Sequence, residues 1–157
     1  PEGEREWSVN IVDLLADMEE AWLVIGFTGE ASPTGKMVAG VAQRLKDEPQ
    51  LEEEMDAIAR ITRAGLTALS AGNLEAVGMA MDACHQKLRL LGVSSPSLEA
   101  LVEAVGPHAL GAKLTGAGGG GCMVALAREP QRVAEAIKIA GGRPLISRLG
   151  ASGVHLL

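Results

Sequence analysis

The sequence predicts an α+β fold. Helical-period segments fill the stretch from residue 34 to 105, short β-like apolar runs dominate the remainder of the chain, and a glycine run joins two of those β-like runs. Segregated helices and strands of this kind suggest helices packed on one face of a mainly antiparallel sheet. The 157 residues suffice for one compact domain with its own core. That core must be aliphatic, because 47% of residues are apolar while the chain holds no Tyr, one Phe and two Trp.

Taken in order, Trp7, Ile11, Leu14, Leu15 and Met18 recur at helical spacing and predict an opening helix over 7–18. The apolar run from Trp22 to Phe27 ends in Thr28-Gly29 and reads as a buried strand. Met37, Val38, Val41 and Leu45 form one face of a helix over 34–45. Pro49 then suits the first turn of a longer helix reaching about Ala71. Asn73 should cap a helix that Gly92 closes, and Ser95-Pro96 should open another that ends at Gly106. Leu110 to Thr115 and Cys122 to Ala127 read as strands, and a helix from Pro130 stops at Gly141-Gly142. Pro144 to Leu149 and Val154 to Leu157 supply two further short strands.

The formal charge of −6, without a Lys/Arg cluster, argues against a nucleic-acid partner. No apolar run approaches the length of a membrane span. Cys84 and Cys122 stand far apart in apolar surroundings, and His85, His108 and His155 show no ligand-like spacing, so no metal site is expected. Core thiols point to a reducing, cytoplasmic compartment. The first residue is Pro1, which fits a fragment or a processed product.

The chemistry-bearing stretch is Gly111-Ala112-Lys113-Leu114-Thr115-Gly116-Ala117-Gly118-Gly119-Gly120-Gly121-Cys122. Glycines let backbone amides approach a phosphate or another loop and permit positive φ. A tight hairpin needs about two such residues, whereas here five of six loop positions are Gly. Gly29 to Met37 (GEASPTGKM) superficially resembles a P-loop, yet five residues separate its glycines instead of four, and Met37 stands where Ser or Thr should hold magnesium. What remains there is a helix N-terminus, which either offers amides to an anion or is capped by Ser32 or Thr34.

The run GAKLTGAGGGGC (111–122) resembles the third conserved motif of GHMP small-molecule kinases, most closely its mevalonate kinase version. MDACHQKLRLLGVS (81–94) resembles the helix and turn preceding that motif. Thr28-Gly29, with Thr34 and Val38, resembles the segment opening the family's C-terminal domain. The resemblance implies a ferredoxin-like C-terminal domain over residues 22–157, preceded by a helical segment, 1–21, left from or linking to an N-terminal kinase domain. It implies transfer of the ATP γ-phosphoryl group to the hydroxyl of mevalonate, in isoprenoid precursor synthesis, with Mg2+ arriving on the nucleotide. Thr115, Gly116, Ala117, Gly118, Gly119, Gly120 and Gly121 would lie beside the phosphate-binding loop. Thr28, Thr34 and Lys113 are candidate cleft contacts, though strand alternation equally allows Lys113 to face solvent.

Two departures matter. Phe27 occupies a position that commonly carries a small polar residue. Nothing in residues 1–21 resembles the family's catalytic Asp and Lys or its triphosphate loop, so no catalytic residue is assigned in this chain. Another GHMP kinase acting on a phosphorylated mevalonate or a sugar is the near alternative. A non-catalytic ferredoxin-like ligand-binding module is the distant one. Apolar surface left open by an absent domain would also allow two copies to pair.

Overall fold

The computed structural model describes residues 21–150. The expected opening helix over 7–18 and the closing strand over 154–157 lie outside that range. Within it the chain runs β1 (Trp22–Phe27), α1 (Thr34–Asp47), a 3-10 turn (Pro49–Leu51), α2 (Glu52–Ser70), α3 (Leu74–Leu90), α4 (Pro96–Val105), a second 3-10 turn (Gly106–His108), β2 (Gly111–Thr115), β3 (Cys122–Ala127), α5 (Pro130–Ile139) and β4 (Arg143–Arg148).

The four strands form one antiparallel sheet in the order β2-β3-β1-β4. With helices inserted between β1 and β2 and between β3 and β4, this is the split β-α-β arrangement of ferredoxin-like folds. Register puts Val24 opposite Ala125, and Ala125 opposite Ala112, on the face that α4 and α5 cover. There Leu98, Leu101, Val105, Met123, Val133 and Ile137 join them in the main core. A smaller cluster of Ala21, Leu74 and Leu126 fills the end of the sheet near α3.

The helix caps explain why these boundaries are sharp. Asn73 accepts the Ala76 N–H through its side chain, and Ser95 accepts that of Leu98, so each satisfies a donor that the first turn leaves open. Gly92 follows α3 at φ +75°, a left-handed closing position. Gly106 behaves otherwise than expected. Its φ of −46° is helical, and the chain continues through a 3-10 turn before entering β2. The helices also form two layers: α3 lies along the β2 edge with α2 outside it, and neither α1 nor α2 contains a buried residue.

Candidate functional site: the glycine loop between β2 and β3

β2 and β3 pair until Thr115 meets Cys122, and residues 116–121 bridge them. Gly116, Gly118, Gly119, Gly120 and Gly121 all have positive φ, from +69° to +135°. This backbone path is closed to most L side chains and explains why five of the six positions are glycine.

The loop is held from three sides. The Gly119 N–H donates to Val93 O at 2.8 Å, in the turn after α3. The Gly121 N–H donates to Glu30 O at 2.9 Å, while the Thr28 N–H and Thr28 Oγ1 both donate to Gly121 O, at 2.9 and 3.0 Å. Ser32 Oγ donates to Gly118 O at 2.6 Å. The three segments that the sequence singled out, 28–34, 81–94 and 111–122, therefore meet at one place.

Gly118 and Gly116 differ in what surrounds them. A Cβ on Gly118 would overlap the Val93 carbonyl, so its close approach is to the domain's own backbone. Among the described residues, its chain neighbours aside, a Cβ on Gly116 would meet nothing within 4 Å. Gly116 is exposed, and the open side of the loop begins there. Among the described residues no protein acceptor takes the N–H of Gly116, Ala117 or Gly120.

The start of α1 lies against the loop, with Met37 Sδ and Pro33 Cδ beside Gly119. Neither Ser32 nor Thr34 caps this helix. Pro33 is the N-cap residue, no side chain accepts from the first turn, and that turn carries no acidic residue. Ser32 is drawn away by its bond to Gly118. Thr34 is exposed at the first position of α1, and the Thr28 hydroxyl is engaged with Gly121 and the Glu30 N–H. Lys113 turns toward an apolar cavity of about 460 Å³ between α2, α3 and β2, where its Nζ donates to Leu114 O at 2.8 Å. Phe27 carries no polar function, and the Arg143 guanidinium sits 4.8 Å from its ring centroid.

No cluster of His, Cys, Asp or Glu able to hold a metal ion exists among the described residues, and no helix there is long and apolar enough to cross a membrane.

The family model for the GHMP kinase C-terminal domain matches residues 66–143, which include α3, α4 and the entire glycine loop. The chain belongs to the GHMP kinase family. It is 39% identical over 142 residues to mevalonate kinase of Pyrococcus furiosus, covering 85% of this chain and 42% of that protein. Against mevalonate kinase of Pyrococcus horikoshii the identity is 43% over the same spans. The crystal structure of L. major mevalonate kinase in complex with R-mevalonate superposes with a TM-score of 0.76 at 30% identity, covering 84% of this chain and 44% of that one. The chain thus spans about 42% of the length of these curated relatives.

Proposed function

We propose that this chain is the C-terminal part of an ATP-dependent mevalonate kinase, with residues 22–157 forming the C-terminal domain and 1–21 leading into it. The glycine loop then serves the phosphate side of the nucleotide. The observation that carries this reading is the group of loop N–H donors, at Gly116, Ala117 and Gly120, that have no acceptor among the described residues. They lie beside an α1 N-terminus with no side-chain cap and no first-turn carboxylate. Backbone N–H groups and a helix N-terminus both favour negative charge.

Phosphoryl transfer is governed by positioning and by stabilisation of charge on the transferring group. Rigid amides at the loop suit that task. The chain's part is to bind and orient anionic oxygens, and the groups that activate the hydroxyl and hold the magnesium belong to the rest of the kinase. Similarity to enzymes named mevalonate kinase supports mevalonate as acceptor.

The test compares the full gene product carrying these residues with the isolated 157-residue chain, using ATP and mevalonate, phosphomevalonate or homoserine. The reading expects turnover with mevalonate above the other two acceptors, and none from the isolated chain. Preference for another acceptor overturns the substrate, and turnover by the isolated chain overturns the division of labour.

A further inference from the structure

Behind the glycine loop, α3 runs along the outer edge of β2. Gly78 abuts the Leu110 carbonyl so closely that a side chain would not fit. Further along the same helix face, Asp82 Oδ1 accepts the Ala112 N–H at 2.7 Å, and His85 Nδ1 accepts the Leu114 N–H at 3.3 Å. The three-residue step from Asp82 to His85 thus meets the two-residue step between the outward N–H groups of Ala112 and Leu114 on an edge strand. Such groups are otherwise open to unwanted pairing.

His85 is 2% exposed. Because Nδ1 accepts, the neutral ring carries its proton on Nε2. That atom lies 3.2 Å from Glu99 Oε1, yet out of line for a hydrogen bond, so it is buried without a hydrogen-bond partner among the described residues. Glu99 in turn accepts the Ser94 hydroxyl and pairs with Arg89 Nε at 3.0 Å. Ser94 follows Val93, whose carbonyl receives the Gly119 N–H. His85 therefore reaches the loop twice: through Leu114, two residues before Gly116, and through Glu99, Ser94 and Val93 to Gly119.

We propose that neutral His85 is a positioning residue for the glycine loop, fixing the strand that leads into it relative to the turn that grips its middle. The inference concerns loop geometry and stands apart from the substrate reading. Protonation places a hydrogen on Nδ1, which then faces the Leu114 N–H donor to donor, so the contact must open. The same added charge pulls Nε2–H toward Glu99.

The groups around the imidazole are Glu99 and Glu103 from α4, Asp82 and Arg89 from α3, and Lys113 from β2. Burial holds the imidazole below its ordinary pKa. Glu99 opposes that shift, Arg89 and Lys113 reinforce it, and Asp82 opposes it weakly.

The test is a pH titration of the 157-residue chain labelled with 15N-glycine and followed by NMR. The amides of Gly116 and Gly119 should move together with the His85 ring signals, at one midpoint below about 6.5. His85→Gln, which keeps an acceptor for Leu114, should leave the loop signals near their neutral positions and remove the titration. His85→Leu should displace those signals already at neutral pH. Glu99→Gln removes the carboxylate that raises the pKa and should move the midpoint lower still. Loop amides that stay fixed while His85 titrates, or that still titrate in His85→Gln, overturn the proposal. So does one cooperative unfolding of the entire domain at that midpoint, because the loop then has no response of its own.

Discussion

The inner layer of sheet, α4 and α5 and the outer layer of α1 and α2 are made from similar aliphatic residues but are finished differently. Leu98, Leu101, Val105, Val133 and Ile137 are buried against the sheet. On α1 and α2 no residue is buried, and Val38, Met55 and Leu66 remain 62%, 45% and 51% exposed. Met37, Val38, Val41 and Leu45 line an open groove of about 330 Å³ that Val93 and Ala117 complete. The inner layer's stability comes from contacts within this domain. The outer layer keeps apolar surface open to solvent. The glycine loop lies on the boundary, with Gly118 locked inward and Gly116 open.

The strongest break in this comparison is Gly118→Val. It combines a β-branched side chain at φ +82° with overlap of the Val93 carbonyl, for a stability loss on the order of 4 kcal/mol in urea unfolding. A variant with wild-type stability would show that the loop is not seated on the Val93 turn.

Next in size is a pair of truncations. Leu101→Ala in the inner layer should cost about 2–5 kcal/mol, and Leu66→Ala on α2 within about 0.5 kcal/mol. Equal losses in chemical denaturation would erase the distinction between layers.

The smallest expected effect is a pH dependence confined to the inner side. With His85 lowered in the folded state, the unfolded chain binds more protons in mild acid. The contribution is complete above the unfolded value of about 6.5 and is lost as pH falls toward the folded pKa. Melting curves of wild type should therefore fall in this window more than those of His85→Gln, and parallel curves would contradict it.

Much of the fold was legible because its signals are local. The run from Trp22 to Phe27 is β1 at both ends, and the Asn73 and Ser95 caps sit where side-chain chemistry requires them. What failed was non-local. Ser32 reads as a cap until Gly118, 86 residues away, takes its hydroxyl. His85 reads as an ordinary helix residue, because its acceptor role needs a strand edge 29 residues on. The spacing of Gly78, Asp82 and His85 on one helix face was the available signal, and it has meaning only once β2 is known to be an edge. The meeting of the loop with Val93 and Glu30 was likewise hidden, although each segment had been singled out.

The most direct test of the central claim places a side chain at the open end of the loop. Gly116→Val in the full gene product adds bulk at φ +81° where no described residue other than its chain neighbours lies within 4 Å. If the loop amides serve the nucleotide, kcat/KM for ATP-dependent phosphorylation of mevalonate should fall at least about tenfold, or roughly 1.4 kcal/mol of transition-state stabilisation. The unfolding midpoint should drop far less than in Gly118→Val. Full activity in Gly116→Val would contradict the account and leave the glycine loop a structural turn.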